Sequence, residues 1–202
     1  MRLCCASMST ALRIPHRMTV AEFQDWLPPA GEEDRRWNLV DGEPICMAPT
    51  SINHGLIQSE IGGLIWLHLR RVGSQCRIVT TPGVVPRVRS TNNERIPDLG
   101  VTCSLQTGGK VLSDPVVLIE IVSPSNEANT RRNVWAYTSI PSVAEILLLS
   151  STSMSGELLR RNPQGEWAGD PLMLDADSLV QLTSIDFTAS MRDIYATTSL
   201  AV

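Results

Sequence analysis

Apolar residues recur along the chain in two periods, and the switches between them mark out the elements. Steps of three and four run through SINHGLIQSEIGGLIWLHLRR, where Ile57, Ile61, Leu64, Ile65 and His68 share one face. This predicts a long amphipathic helix, with Ser51 or Asn53 as its cap and Arg70-Arg71 at the negative end of its dipole. A shorter helix is expected over TVAEFQDWLPP, where Thr19 and Glu22 have capping-box spacing and Pro28-Pro29 stops the element. A third opens at Ser125 or Asn126 and runs through NEANTRRNVWAYTSI. Strand-like runs lie between them. RWNLVDGEPICMAP reads as a hairpin turning at Asp41-Gly42. CRIVTT, GVVPRVR and IPDLGVTC follow as three strands, then VVLIEIV, AEILLLS, and the hairpin GELLRRNPQGEW with its Asn-Pro-Gln-Gly turn. The tail LVQLTSIDFTASMRDIYATTSL reads as strand or loop with a last short helix. Helix, hairpin, helix, strands, helix, strand, hairpin is the order of an α/β (α+β) fold, a central mixed sheet flanked by helices with extra β-hairpins.

The orderly pattern begins at Met18. Residues 1–17 are expected to form a disordered extension, and residues 18–202 a single domain. At 202 residues and 43% hydrophobic content the chain can bury one full core. No run approaches the roughly 20 apolar residues of a membrane span, and the first residues lack the apolar stretch of a secretory signal, so the expected location is cytoplasmic with no membrane partner. A net charge of −4 excludes a strongly basic nucleic-acid coat, though not a local basic channel. The five cysteines, at positions 4, 5, 46, 76 and 103, form no CxxC pair. They read as small core or surface thiols in a reducing compartment.

Chemistry enters at VVLIEIV. A near-continuous apolar run is the mark of a strand buried on both faces, yet Glu120 stands inside it. A buried, unpaired carboxylate is costly, so Glu120 needs a partner. Asp98, after Pro97 at the start of another strand, can converge with it if the two strands are neighbours. Two carboxylates in apolar surroundings repel unless a cation lies between them, and oxygen ligands with water suit Mg²⁺. The alternative is an ion pair of Glu120 with Arg87, Arg89 or Arg131. His54 in the first turn of the long helix and Glu43 after the Asp41-Gly42 turn are further polar candidates. His68, among apolar residues, reads as a satisfied, partly buried histidine, and Trp66 and Trp135 as packing residues. Arg77, Arg87, Arg89 and Arg95 offer phosphate contacts if they share a face. No P-loop and no GxSxG motif is present.

The motifs WNLVDGE, Asn53-His54, RIPDLGV, VVLIEIVSPSNE and NVWAYTSIPSVAEILLL, in this order, resemble the Uma-type restriction endonuclease family of the PD-(D/E)XK nuclease superfamily. The resemblance runs from about Met18 to Ser150. It implies a restriction-endonuclease-like core and a metal-dependent endonuclease that hydrolyses DNA phosphodiester bonds. Asp98 and Glu120 would be metal ligands for Mg²⁺ or Mn²⁺, with the carbonyl of Ile121 as a third. His54 and Glu43 would be orienting groups in the catalytic site, and the partner would be DNA, with pairing into a homodimer. The superfamily lysine would stand at Val122, or in the Uma-type pattern at Asn133, four residues before Tyr137, and neither place holds one. Of 17 basic residues sixteen are Arg, and the single lysine is Lys110, in a loop from which it could swing in. Arg131 and Arg132 are close in sequence but cannot act as bases. The alternative implied is a catalytically lapsed member of the same fold that binds nucleic acid or a protein.

Overall fold

A computed structural model of the chain describes residues 16–106 and 108–201. The expected extension falls almost wholly outside the described residues. The first helix, α1 (Val20–Asp25), carries the expected capping box, with Thr19 and Glu22 bonding each other's backbone reciprocally. β1 (Trp37–Val40) and β2 (Glu43–Cys46) form the expected hairpin. Its two-residue turn places both Asp41 (φ 50°) and Gly42 (φ 84°) in the left-handed region, which explains the Asp-Gly pair. α2 (Ile52–Arg71) is capped by Ser51, whose hydroxyl accepts from the His54 amide.

Six strands form the central sheet, in the order β3 (Arg77–Thr80), β4 (Leu99–Thr102), β5 (Pro115–Val122), β6 (Glu145–Ser150), β7 (Gly156–Arg160) and β8 (Leu172–Leu174). The β5–β6 pair is parallel and the others are antiparallel, so the sheet is mixed. α3 (Glu127–Tyr137) makes the crossover that a parallel pair requires. β9 (Leu179–Leu182) and β10 (Phe187–Ser190) form a second hairpin, followed by α4 (Met191–Ile194).

Alternation along β5 divides the core. Val117, Ile119 and Ile121 pack with Ile57, Ile61 and Ile65 of α2 and with β9, β10 and α4. Leu118 belongs to the opposite layer, with Val134 and Tyr137 of α3. A third cluster, Met18, Phe23, Trp37 and Leu39, binds α1 to the first hairpin.

Four sequence expectations are corrected. GVVPRVR is not a strand. It makes only isolated bridges, at Gly83 and Val84, because Pro82 and Pro86 each remove an amide donor. Cys76 and Cys103, flanking the Arg77–Thr102 pair of β3 and β4, are joined in a disulfide and are not thiols. Trp66 and Trp135 stand on the solvent sides of their helices, 56% and 65% exposed, and are not core packing. The GELLRRNPQGEW hairpin turns as expected over Asn162 to Gly165, but only a single bridge, Arg161 to Trp167, closes it, and β7 pairs instead with β8.

Candidate metal centre

Leu99 on β4 pairs with Ile119 on β5. One step back on β4 and one forward on β5 therefore sets Asp98 beside Glu120, and the strand neighbourhood that the sequence left open is present. Both side chains are 2% exposed. Each is held by a different layer of the molecule. Asp98 Oδ2 lies 3.1 Å from Nε2 of His54, in the first turn of α2, and accepts the Ile121 amide at 2.8 Å. Its Oδ1 accepts from Arg36 Nη1 at 2.9 Å. Its main-chain carbonyl takes bonds from the Gln58 side chain and the Thr81 amide. Glu120 Oε1 accepts from Tyr137 Oη at 2.7 Å and from Asn133 Nδ2 at 3.3 Å, both on α3. Its Oε2 accepts no hydrogen bond among the described residues.

The two carboxyls titrate in opposite directions. Burial, the largest influence on Glu120, and the neighbouring Asp98 charge push its pKa up to about 8, against the hydrogen bonds from Tyr137 and Asn133 and the Arg36 charge. Burial works to raise Asp98 too, but the bond and charge of His54, the Ile121 amide and Arg36 outweigh it and leave its pKa lowered. At neutral pH the pair therefore carries about one negative charge, with the proton on Glu120. Tyr137 is held well above the usual phenol range by burial and by Glu120, so it remains a donor.

Oxygen donors beside one another, with Glu120 Oε2 unengaged and a like-charge repulsion that only a cation or a proton relieves, fit a hard divalent ion. Among the described residues no three His, Cys, Asp or Glu side chains are arranged to hold a metal ion by themselves, so such an ion would complete its shell with main-chain oxygen and water. Among the described residues His54 Nδ1 is buried without a partner.

The remaining candidates scatter. Glu43 lines a neighbouring cavity and touches neither carboxylate. Lys110 stands at the end of α1, donating to the Gln24 carbonyl and lying 3.8 Å from Asp25, and is bonded to neither carboxylate. Arg131 pairs with Glu157 at 2.5 Å, Arg89 with Asp41 at 2.7 Å, and Arg77 binds carbonyls of residues 74–76. They do not form one stripe, and none of them pairs with Glu120. His68 bonds the Ile185 carbonyl at 3.1 Å and meets the Phe187 ring edge-on, a satisfied structural histidine. Sequence reasoning missed Arg36, which reads as one charge in the solvated stretch GEEDRR. Its signal is positional, since it directly precedes the first strand of the hairpin.

A sequence profile of the family Uma2, described as "Putative restriction endonuclease", matches residues 20–192. A protein of Synechocystis sp. described only as uncharacterized is 30% identical over 184 residues, 89% of this chain and 92% of its own length. A crystal structure from Anabaena variabilis, titled a "putative nuclease belonging to DUF820", superposes with a TM-score of 0.68 at 19% identity, over 89% of this chain and 98% of that one. At that identity the likeness speaks for the fold.

Proposed function

The chain belongs to the Uma2 family of restriction-endonuclease-like proteins, and on that premise we propose that it is a Mg²⁺- or Mn²⁺-dependent endonuclease hydrolysing DNA phosphodiester bonds. The observation that carries this reading is the buried Asp98–Glu120 pair, set side by side by the β4–β5 register. Asp98, Glu120 and the Ile121 carbonyl are the groups that would hold the ion. A divalent ion bound there supplies an activated water and neutralises charge on the phosphoryl oxygens. The residues of the chain do the positioning. His54 and the Ile121 amide fix the Asp98 carboxylate, while Tyr137 and Asn133 fix that of Glu120 from the opposite layer. Arg36, a quarter exposed and paired with Asp98, can stabilise anionic charge without acting as a base. Glu43, on the wall of the neighbouring cavity, would be an outer orienting group. The proposal extends to pairing of two copies for cutting both strands and to work in the cytoplasm.

The test is nicking of supercoiled plasmid in Mg²⁺, Mn²⁺ or EDTA. The wild type is expected to cut only with metal, and Asp98→Ala and Glu120→Gln to lose about a hundredfold or more. Cutting in EDTA, or by the variants at the wild-type rate, would falsify the reading. A second reading is favoured by the absence of a site lysine. Val122 and Asn133 stand where one belongs, and Lys110 is committed elsewhere. On this reading the protein binds nucleic acid without cutting it, and the result that selects it is DNA binding with no metal-dependent cleavage.

A further inference from the structure

Beside the carboxylate pair a cavity of about 440 Å³ opens between the β1–β2 hairpin, the segment preceding Asp98, and α3. Asn133 belongs to both places, lining the cavity and donating to Glu120. On the cavity wall stands Arg95, only 6% exposed. Its Nη1 donates to the carbonyls of Leu39 and Glu94, while its Nε is buried with no partner among the described residues. The acid on the same wall, Asp41, is already engaged by Arg89 and by Asn93. A guanidinium does not shed its proton in a protein, so a charge buried this deeply without a paired carboxylate is unfavourable until an anion joins it. Arg17 and Arg132 add two exposed guanidiniums at the cavity, against one unpaired acid, Glu43. Among the described residues Arg132 is bonded only to Asn129 of its own helix. Three residues further along that helix, on the same face, the exposed ring of Trp135 offers a surface of the kind on which an unpaired base stacks.

We propose that this cavity is a subsite for one unpaired nucleotide of the bound strand, its phosphate held by Arg95 and Arg132 and its base laid against Trp135. The proposal deepens the nuclease reading and rests on it for the identity of the ligand. Phosphates on the outside of a duplex can reach Arg17 and Arg132 at the mouth, but not a side chain as buried as Arg95. The cavity therefore selects single-stranded or locally opened nucleic acid.

The experiment is binding in EDTA, read by fluorescence anisotropy, of a labelled six-nucleotide thymidine strand and of a duplex of equal length, with thymidine monophosphate and inorganic phosphate as competitors. The single strand is expected to bind about tenfold tighter than the duplex, and the mononucleotide to compete better than phosphate. Arg132→Gln is expected to weaken the single strand about tenfold and Trp135→Ala about fivefold, both with wild-type melting curves because both positions are exposed. Arg95→Met is expected to abolish competition by phosphate; the two surface variants carry the test if that protein does not fold. Duplex binding as tight as the single strand, inorganic phosphate competing as well as the mononucleotide, or no effect of either surface variant overturns the subsite. Because no metal is present, the result separates from the cleavage test. Strand binding without cleavage sinks the nuclease reading alone, and metal-dependent cleavage with surface variants that bind normally sinks the subsite alone.

Discussion

Glu120 shares its place in the interior with Asp98, and the proton it retains sets how the site answers to pH. Its folded pKa, raised to about 8 by burial and then by the Asp98 charge, lies above the ordinary carboxyl value. The folded state therefore binds a proton that the unfolded chain releases. The stability this lends is complete below the unfolded pKa near 4.5 and is lost as pH rises through about 8. In EDTA, the unfolding free energy of the wild type, read from urea titrations, is expected to fall between pH 5 and 9 by something on the order of 2–4 kcal/mol. Glu120→Gln keeps the shape and the bond to Tyr137 and should lack this slope. Equal slopes in the two proteins would show that Glu120 is not the titrating group. Arg36 acts on the same pair from outside. Its guanidinium on Asp98 Oδ1 occupies an oxygen that a divalent ion would use, and repels the ion as well. Arg36→Gln is expected to tighten Mn²⁺ binding, read by electron paramagnetic resonance, by about threefold to tenfold, given the ~1 kcal/mol scale of a partly solvated charge interaction. Weaker binding would instead make Arg36 a support for the Asp98 geometry.

At the scale of elements, the site is a product of register and of layers. The antiparallel β4–β5 register sets the two carboxylates side by side, α2 delivers His54 to one of them, and the βαβ crossover lays Tyr137 and Asn133 of α3 over the other. A comparable buried carboxylate holds the far end of the sheet. Glu145, at the start of β6, is fully buried and accepts from the amides and hydroxyls of Thr183 and Ser184 and from Arg160. It anchors the 3-10 turn between β9 and β10 to the sheet. Burial works to raise its pKa, but the Ser184 bonds, Arg160 and the Thr183 amide outweigh this and leave it lowered. Its stabilisation is present above the unfolded pKa of about 4.5 and is lost as pH falls through the lower folded value. Glu145→Ala leaves several donors unpaired and is expected to cost about 3 kcal/mol at pH 7, with a smaller difference from wild type at pH 3, measured by thermal melting. A variant as stable as wild type at pH 7 would show that water replaces the carboxylate at no cost. Periodicity predicted β5 and β6 because their apolar runs are nearly unbroken, and the Asp41-Gly42 hairpin because only one turn type suits that pair. It misled at GVVPRVR, where apolar spacing resembles a strand but Pro82 and Pro86 deny the ladder its donors.

Across the whole molecule, the elements could be read from sequence far more readily than the contacts between them. Glu120 announced itself because a charge in a buried strand demands an explanation from local sequence alone. The arginines around the site do not. Arg36 reaches Asp98 across 62 positions, and Arg95 reaches the Leu39 carbonyl across 56, so neither leaves a periodic trace. The Cys76–Cys103 bond was equally hidden, since pairing over a separation of 27 depends on the β3–β4 register. The same convergence of distant segments couples the site to global stability. A divalent ion held by Asp98 and Glu120 would bind only the folded chain, and so would raise the melting temperature in proportion to the logarithm of its concentration over its dissociation constant. Loading would also displace the Glu120 proton, so below pH 8 the affinity should climb by about tenfold per pH unit. Raising pH from 6.5 to 7.5 at fixed, saturating Mn²⁺ should therefore enlarge the metal-induced stabilisation by about 1.4 kcal/mol, or about 3–6 °C for a domain of this size. The comparison is made against EDTA at each pH, so that the loss of metal-free stability with rising pH cancels. Glu120→Gln has no proton to release and is expected to lose this pH dependence together with most of the affinity, while Asp98→Ala loses the metal shift itself. A metal shift that ignores pH, or that persists in Asp98→Ala, would place the ion elsewhere on the protein and remove the chemical basis for hydrolysis at this pair.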